Sequence, residues 1–139
     1  MSAIQMIAVG RKLSNIYSEL SLPICRKYGI NQTCFDILLF FANNPSYCTA
    51  RDICAIRGIK SGIASVAVET LIGGGYLLRT EDPEDKAAGV VADGQKMQKY
   101  FTETLRQGIT EEEFAAFQSL TDKLEANIAS FGGKEKTLC

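Results

Sequence analysis

The sequence contains no histidine. That absence excludes Ser-His-Asp and Cys-His nucleophilic pairs, HExxH zinc sites and a histidine pH switch. None of the five cysteines, Cys25, Cys34, Cys48, Cys54 and Cys139, stands in a CxxC, and their number is odd. A disulfide framework and a four-thiolate zinc site are therefore not expected. There is no run of 18 apolar residues, so no membrane span is expected. The first ten residues lack a basic stretch and a small-residue cleavage site after an apolar core. These features together point to a cytoplasmic chain with reduced thiols. Excess charge of one sign is missing too. Fifteen Lys and Arg stand against sixteen Asp and Glu, so the whole-chain charge announces neither nucleic acid, membrane nor acidic substrate. No internal repeat, low-complexity stretch or Pro/Gly/Ser linker divides the chain.

What is present is one domain's worth of sequence: 139 residues, 46% apolar and 22% charged. Ile4, Ile7, Leu13, Ile16, Tyr17, Leu20 and Ile24 recur at helical spacing. Pro23 predicts a kink or break near Leu22, because proline lacks a donor and restricts the residue before it. Gly29 ends the segment. Asn31 is placed to cap a helix from Gln32 to Ala42, with Phe35, Leu38, Leu39 and Ala42 on one face and Asn43-Asn44-Pro45 as its stop. Thr49 opens a short helix, Ala50 to Arg57, closed by Gly58. Ser61 is placed to cap a second helix carrying Ile63, Val66, Ala67, Thr70 and Leu71. Two short helices around a glycine turn have the helix-turn-helix layout.

Gly73-Gly74-Gly75 stops that helix. Tyr76-Leu77-Leu78-Arg79 reads as a strand, Glu81 to Asp85 as a polar turn, and Gly89-Val90-Val91 as a second short strand. So small a hairpin must lean on the helix pair. A helical pattern resumes at Gly94, with Met97, Phe101, Leu105 and Ile109 on one face. Thr110-x-x-Glu113 forms a capping box for a final helix. Its narrow seam of Phe114, Phe117, Leu120, Leu124, Ile128 and Phe131 suits packing against another helix. The expected fold class is mostly α with a small β-hairpin wing: a winged helix-turn-helix with N- and C-terminal helices at its flanks.

Several motifs stand in order along this frame: Asn44-Pro45-x-Tyr47-x-Thr49-Ala50-x-Asp52-Ile53, Lys60-Ser61-x-x-x-Ser65-Val66, Gly75-Tyr76-Leu77-x-Arg79, Asp82-x-x-Asp85-Lys86, and Leu105-x-x-Gly108-Ile109-Thr110-x-Glu112-Glu113. Each alone is weak, but in this order and spacing, from about Ile16 to Ile128, the chain resembles the MarR family of bacterial and archaeal regulators. The resemblance implies a homodimer whose terminal helices interlock, and a winged helix that places its second helix in a major groove and its wing in a flanking minor groove. Two-fold symmetry then matches a pseudo-palindromic operator. It also implies a small, often aromatic effector bound near the junction of the two regions. The sequence departs from the family pattern at the wing. Lys86-Ala87-Ala88 replaces an Arg-Arg continuation, and the segment up to Gly94 is a few residues short.

Helix N-termini near Thr49 and Ser61 offer orphan N–H groups to phosphate. The residues expected to contact DNA are Thr49, Lys60, Ser61, Ala64, Ser65, Arg79 and Lys86, with Ala64 small enough to approach a thymine methyl. Tyr17, Leu20, Tyr28, Phe35 and Phe40 are candidates for an effector pocket, against the plainer reading of core packing. Ile4, Ile7, Phe114, Phe117, Leu120, Leu124 and Ile128 are expected at a dimer interface. Cys34 and Cys54 read as small buried hydrophobes, and Cys25 and Cys48 are preferred as ordinary thiols over redox sensors. The acidic turn lacks the EF-hand order and reads as solvated. No metal or cofactor is expected.

The expected regions are 1–30 and 94–139 for dimerisation and 31–93 for DNA binding. The expected partners are double-stranded DNA, a second copy of the chain and a small aromatic effector, with no membrane. From Arg51 to Lys99 seven basic residues (Arg51, Arg57, Lys60, Arg79, Lys86, Lys96, Lys99) balance seven acidic ones (Asp52, Glu69, Glu81, Asp82, Glu84, Asp85, Asp93). The expected function is a DNA-binding transcriptional repressor. The alternative is a ligand-binding or protein-interaction module on the same frame with weakened or lost DNA binding. Nothing resembling an acid–base pair converges, so an enzyme is not expected.

Overall fold

The computed structural model describes residues 2–47, 49–77 and 85–131, without the side chains of Asp85 and Lys86. Six helices fill these segments: α1 Ala3–Tyr28, α2 Gln32–Asn43, α3 Ala50–Arg57, α4 Ser61–Gly73, α5 Asp85–Leu105 and α6 Glu111–Ala129. Among the described residues there is no strand beyond a single bridging position at Leu77.

Helix α2 is the centre of the core. Cys34, Phe35 and the whole run from Ile37 to Phe41 are buried, as suits a helix that is apolar on nearly every side. Its start is fixed by the Asn31 side chain, which accepts a 2.8 Å hydrogen bond from the Cys34 N–H. Around it, α4 contributes Ala64, Ala67 and Leu71, α3 contributes Ile53 and Cys54, and α5 contributes Ala87, Val90 and Met97. Helix α1 adds Ser21 and Cys25.

Two expectations about these elements are corrected. Of the kink or break expected at Pro23, the break does not occur: α1 runs through it to Tyr28 and ends on Gly29 in the left-handed conformation, at φ 66°. Proline removes one backbone donor at a cost of about 3 kcal/mol. The flanking Ser21 and Cys25 are both buried, so packing offsets that loss. The Ser21 hydroxyl is satisfied within the helix by donating to the Tyr17 carbonyl at 2.7 Å.

The second correction is that Gly89-Val90-Val91 is not a strand but the second turn of α5. Its true pattern is Ala87, Val90, Gly94, Met97 and Phe101, a helical stripe in which glycine fills places that closeness demands. A Cβ at Gly89 would lie 2.7 Å from the Tyr28 hydroxyl, and one at Gly94 would lie 2.8 Å from Leu39 Cδ2. Glycine here lets α5 approach α1 and α2, although the same residues weaken a helix in isolation. With these residues helical, they cannot supply the second strand of a wing. The boundary expected at 93/94 also lies inside α5.

The end of α1 is tied to α5 by a small polar cluster. Asp93 accepts from Lys27 Nζ at 3.0 Å and from the Tyr28 hydroxyl at 2.9 Å. The Tyr76 hydroxyl donates to the Tyr28 carbonyl at 3.2 Å, which anchors the chain leaving α4 to the same corner.

Helix α6 differs from the other five. It opens with the expected capping box, in which Thr110 and Glu113 each accept from the other's N–H. Yet it contributes no buried residue. Phe117, Leu120, Leu124 and Ile128 remain 45–65% exposed, and Ile4 and Ile7 on α1 are exposed to 81% and 64%.

Candidate nucleic-acid interface

The pair α3–α4 is built by local signals. Thr49 caps α3 through a reciprocal box with Asp52: each side chain accepts from the other's backbone N–H at 3.1 Å. Gly58 ends α3 in the left-handed region at φ 71°, where its N–H bonds to the Cys54 carbonyl. That conformation is open to glycine and disfavoured for other residues. The turn is short enough that α4 begins three residues later and packs on α3.

Lys60, and not Ser61, holds the N-cap position of α4, and no side chain caps that end. Ser61 is therefore the first helical residue. Lys60, Ser61 and Ser65 are all exposed, with the two serines one turn apart on α4. Ala64 is different. It is fully buried, so its expected DNA contact is corrected: the residue serves the core. Small residues at 64 and 67 let α4 approach α2 closely, and Leu71 completes the inward stripe.

The same register turns Ile63 and Val66 outward, 52% and 69% exposed. The sequence was ambiguous here because α4 is apolar nearly all round. Both the 63/66/70 and the 64/67/71 sets have helical spacing, and only packing against α2 decides between them.

Past α4, Leu77 is buried and its N–H reaches the Leu71 carbonyl at 3.3 Å. The remainder of the expected first strand, including Arg79, and the turn at Asp82 lie outside the described residues. Lys86 falls in the first turn of α5, and its side chain is likewise outside the description.

Beside this unit is a cleft between α1, α2, α3 and α5. Tyr17, Asp36, Arg57 and Gln98 all line two adjoining cavities of about 170 and 440 Å³. Asp36 Oδ2 meets Arg57 at 3.2 Å, and Gln32 donates to Asp36 Oδ1 at 2.9 Å. Burial raises the Asp36 carboxyl above its ordinary range, and Gln32 and Arg57 only partly oppose it. The Tyr17 hydroxyl accepts from Gln98 at 2.9 Å. Burial again raises its pKa against that hydrogen bond. The Tyr17 ring meets Phe101 edge-on at 5.4 Å.

Of the five expected pocket residues, Tyr17 lines both cavities and Phe40 the smaller one. Phe35 is fully buried in the core. Leu20 is half-buried against the core, and Tyr28 faces Asp93. Asp36, Arg57 and Gln98 were missed. One signal could have found the first: Asp36 is the only charged residue of α2.

A third cavity, of about 500 Å³, lies between α1, α5 and α6. It is walled by Leu13, Leu105, Ile109, Phe114 and Phe117, with the Arg106 guanidinium 3.8 Å above the Phe114 ring. Cys25, Cys34 and Cys54 are buried free thiols. Burial pushes the Cys25 and Cys34 thiols up, the opposite of what a reactive thiolate needs. Cys48 and Cys139 lie outside the described residues. Among the described residues no three Cys, Asp or Glu side chains gather as a metal site, and no helix is long and apolar enough to cross a membrane.

The sequence model of the MarR family matches residues 28–88. The similarity to the MarR family thus covers somewhat less than half of the chain. The match runs from the last residue of α1 through α2, α3 and α4 into the first turn of α5, which is the unit just described. No curated protein matches the chain. The MarR match points to transcriptional regulation and DNA binding, and the mostly helical architecture is consistent with the MarR fold.

Proposed function

We propose that the chain is a dimeric, sequence-specific DNA-binding regulator of the cytoplasm that represses transcription from a pseudo-palindromic operator. The observation that carries this reading is the coincidence of the MarR match with the α2–α3–α4 unit. In it, α4 enters the major groove. Lys60 and Ser61 at its uncapped start meet the phosphate backbone, and Ser65 faces a base edge one turn later. Thr49 brings the start of α3 beside a second phosphate. Arg79, which follows α4 in the chain, and Lys86, in the first turn of α5, add further DNA contacts.

Dimerisation is supported by α6. A 19-residue amphipathic helix with no fully buried residue is poorly stable by itself. Its seam of Phe114, Phe117, Leu120, Leu124 and Ile128, together with Ile4 and Ile7 of α1, needs a cover, and a second copy supplies the same apolar surface in return. Residues 1–30 and 94–139 then serve the dimer, and 31–93 serve DNA.

The cleft at Tyr17 suits a small aromatic effector. It offers the Tyr17 and Phe101 rings, with Asp36, Arg57 and Gln98 as polar partners. The Asp36–Arg57 pair joins α2 to α3, so a ligand that takes either partner alters how α3 sits on the core.

A mobility-shift assay at low salt, on the DNA upstream of the chain's own coding region, tests the reading. A shift at submicromolar protein is expected, weakened by Lys60→Ala. Absence of a shift at micromolar protein overturns it in favour of a MarR-like module without DNA binding.

A further inference from the structure

We propose that Ile63 and Val66 are specificity-determining residues that read thymine methyl groups, so the half-site carries thymines at the positions they face. The inference rests on the DNA-binding reading above and names the chemistry of the sequence it recognises. Its starting point is a misfit. In α4 the inward stripe is complete with Ala64, Ala67 and Leu71, yet two β-branched side chains point outward at 52% and 69% exposure. They add nothing to the core and present apolar surface to water.

The rest of the helix narrows what they can meet. Between Ser61 and Gly73 the only charged residue is Glu69, and there is no Lys or Arg. The commonest specific contact, a cation bidentate to guanine O6 and N7, is thus not available from this helix. Ser61 and Ser65 can hydrogen-bond several base edges and discriminate poorly alone. The Thr70 hydroxyl donates to the Val66 carbonyl at 2.8 Å, within the helix itself. Ile63 and Val66 are what remains, and the thymine C5-methyl is the one apolar group a major groove displays. Three residues advance about 4.5 Å along a helix, between one and two of the roughly 3.4 Å steps between base pairs, so the two side chains face pairs one or two apart.

The test uses the full chain and a random-sequence duplex library. Enriched duplexes are remade with single thymines replaced by deoxyuridine, which removes only the methyl group. At the contacted positions affinity falls about fourfold per methyl. Ile63→Ser and Val66→Ser, at exposed positions that leave the core intact, each weaken binding to the thymine duplex and erase its preference over the uracil duplex at one position. Enrichment of duplexes indifferent to uracil at every position, or variants that keep the full uracil penalty, overturns the inference and leaves DNA binding standing. Failure to enrich any duplex overturns the DNA-binding reading itself and opens the outward face of α4 to a protein partner.

Discussion

Replacing Leu120 and Leu124 together by aspartate separates the stability of the chain from its assembly. Both side chains lie on the exposed seam of α6, at 57% and 45% exposure. Full burial of a leucine is worth about 1.5–3 kcal/mol, so covering the exposed half of each is worth about 1 kcal/mol. A two-fold interface uses each residue twice. The four positions therefore contribute about 4 kcal/mol, close to a thousandfold in dimer affinity, before the cost of placing aspartates in an apolar seam. Because α6 contributes no buried residue, the core around α2 is untouched. Sedimentation velocity over a concentration series reads the outcome. The wild-type chain is expected to sediment as a dimer at micromolar concentration. The double variant is expected as a monomer there, with cooperative thermal unfolding retained. A wild-type monomer at tens of micromolar, or a double variant with unchanged dimer affinity, refutes the argument.

Asp36→Asn is expected to stabilise the chain at pH 7. A carboxyl whose folded pKa is raised above its ordinary 3.8 favours folding only below that value, and this contribution is lost as pH rises through the folded pKa. Ionised Asp36 is therefore a net cost at neutral pH, and the gap between variant and wild type in chemical denaturation should close as pH falls towards 4. A variant less stable at pH 7 contradicts this. Gly94→Ala forces a Cβ to within 2.8 Å of the buried Leu39. Overpacking of about 1–3 kcal/mol outweighs a helix-propensity gain of about 1 kcal/mol, whereas Gly62→Ala, with nothing within 4 Å, should be neutral or stabilising; equal melting temperatures for the two would refute the close approach of α5 to α2. The salt dependence of DNA binding should be shallow, because each neutralised phosphate adds about 0.9 to the log–log slope and α4 has a single cation, Lys60, at its start. A slope near 10 contradicts that placement.

Much of the frame was legible because it is written in local signals. Asn31, Thr49 with Asp52, Gly58, Gly29 and Thr110 with Glu113 all act within a turn or two of themselves. Tertiary closeness was not legible. Gly89 and Gly94 resemble helix breakers until Tyr28 and Leu39 are set against them. Pro23 resembles a break until its neighbours are seen buried. The register of α4 is not legible in an almost uniformly apolar stretch, so the expectation of Ala64 at DNA fails: the residue is buried, while Ile63 and Val66 are exposed. Asp36 and Arg57 lie 21 residues apart on different helices, and no local pattern joins them before α3 folds onto α2.

The segment that matches the MarR family is proposed to read DNA as half of a two-fold pair. Hydroxyl-radical footprinting on the DNA upstream of the coding region checks this. Two protected patches centred about one helical turn, roughly 10 base pairs, apart are expected. Both should appear together as protein is added and weaken together in Lys60→Ala. A single patch, or no protection at micromolar protein in low salt, contradicts it.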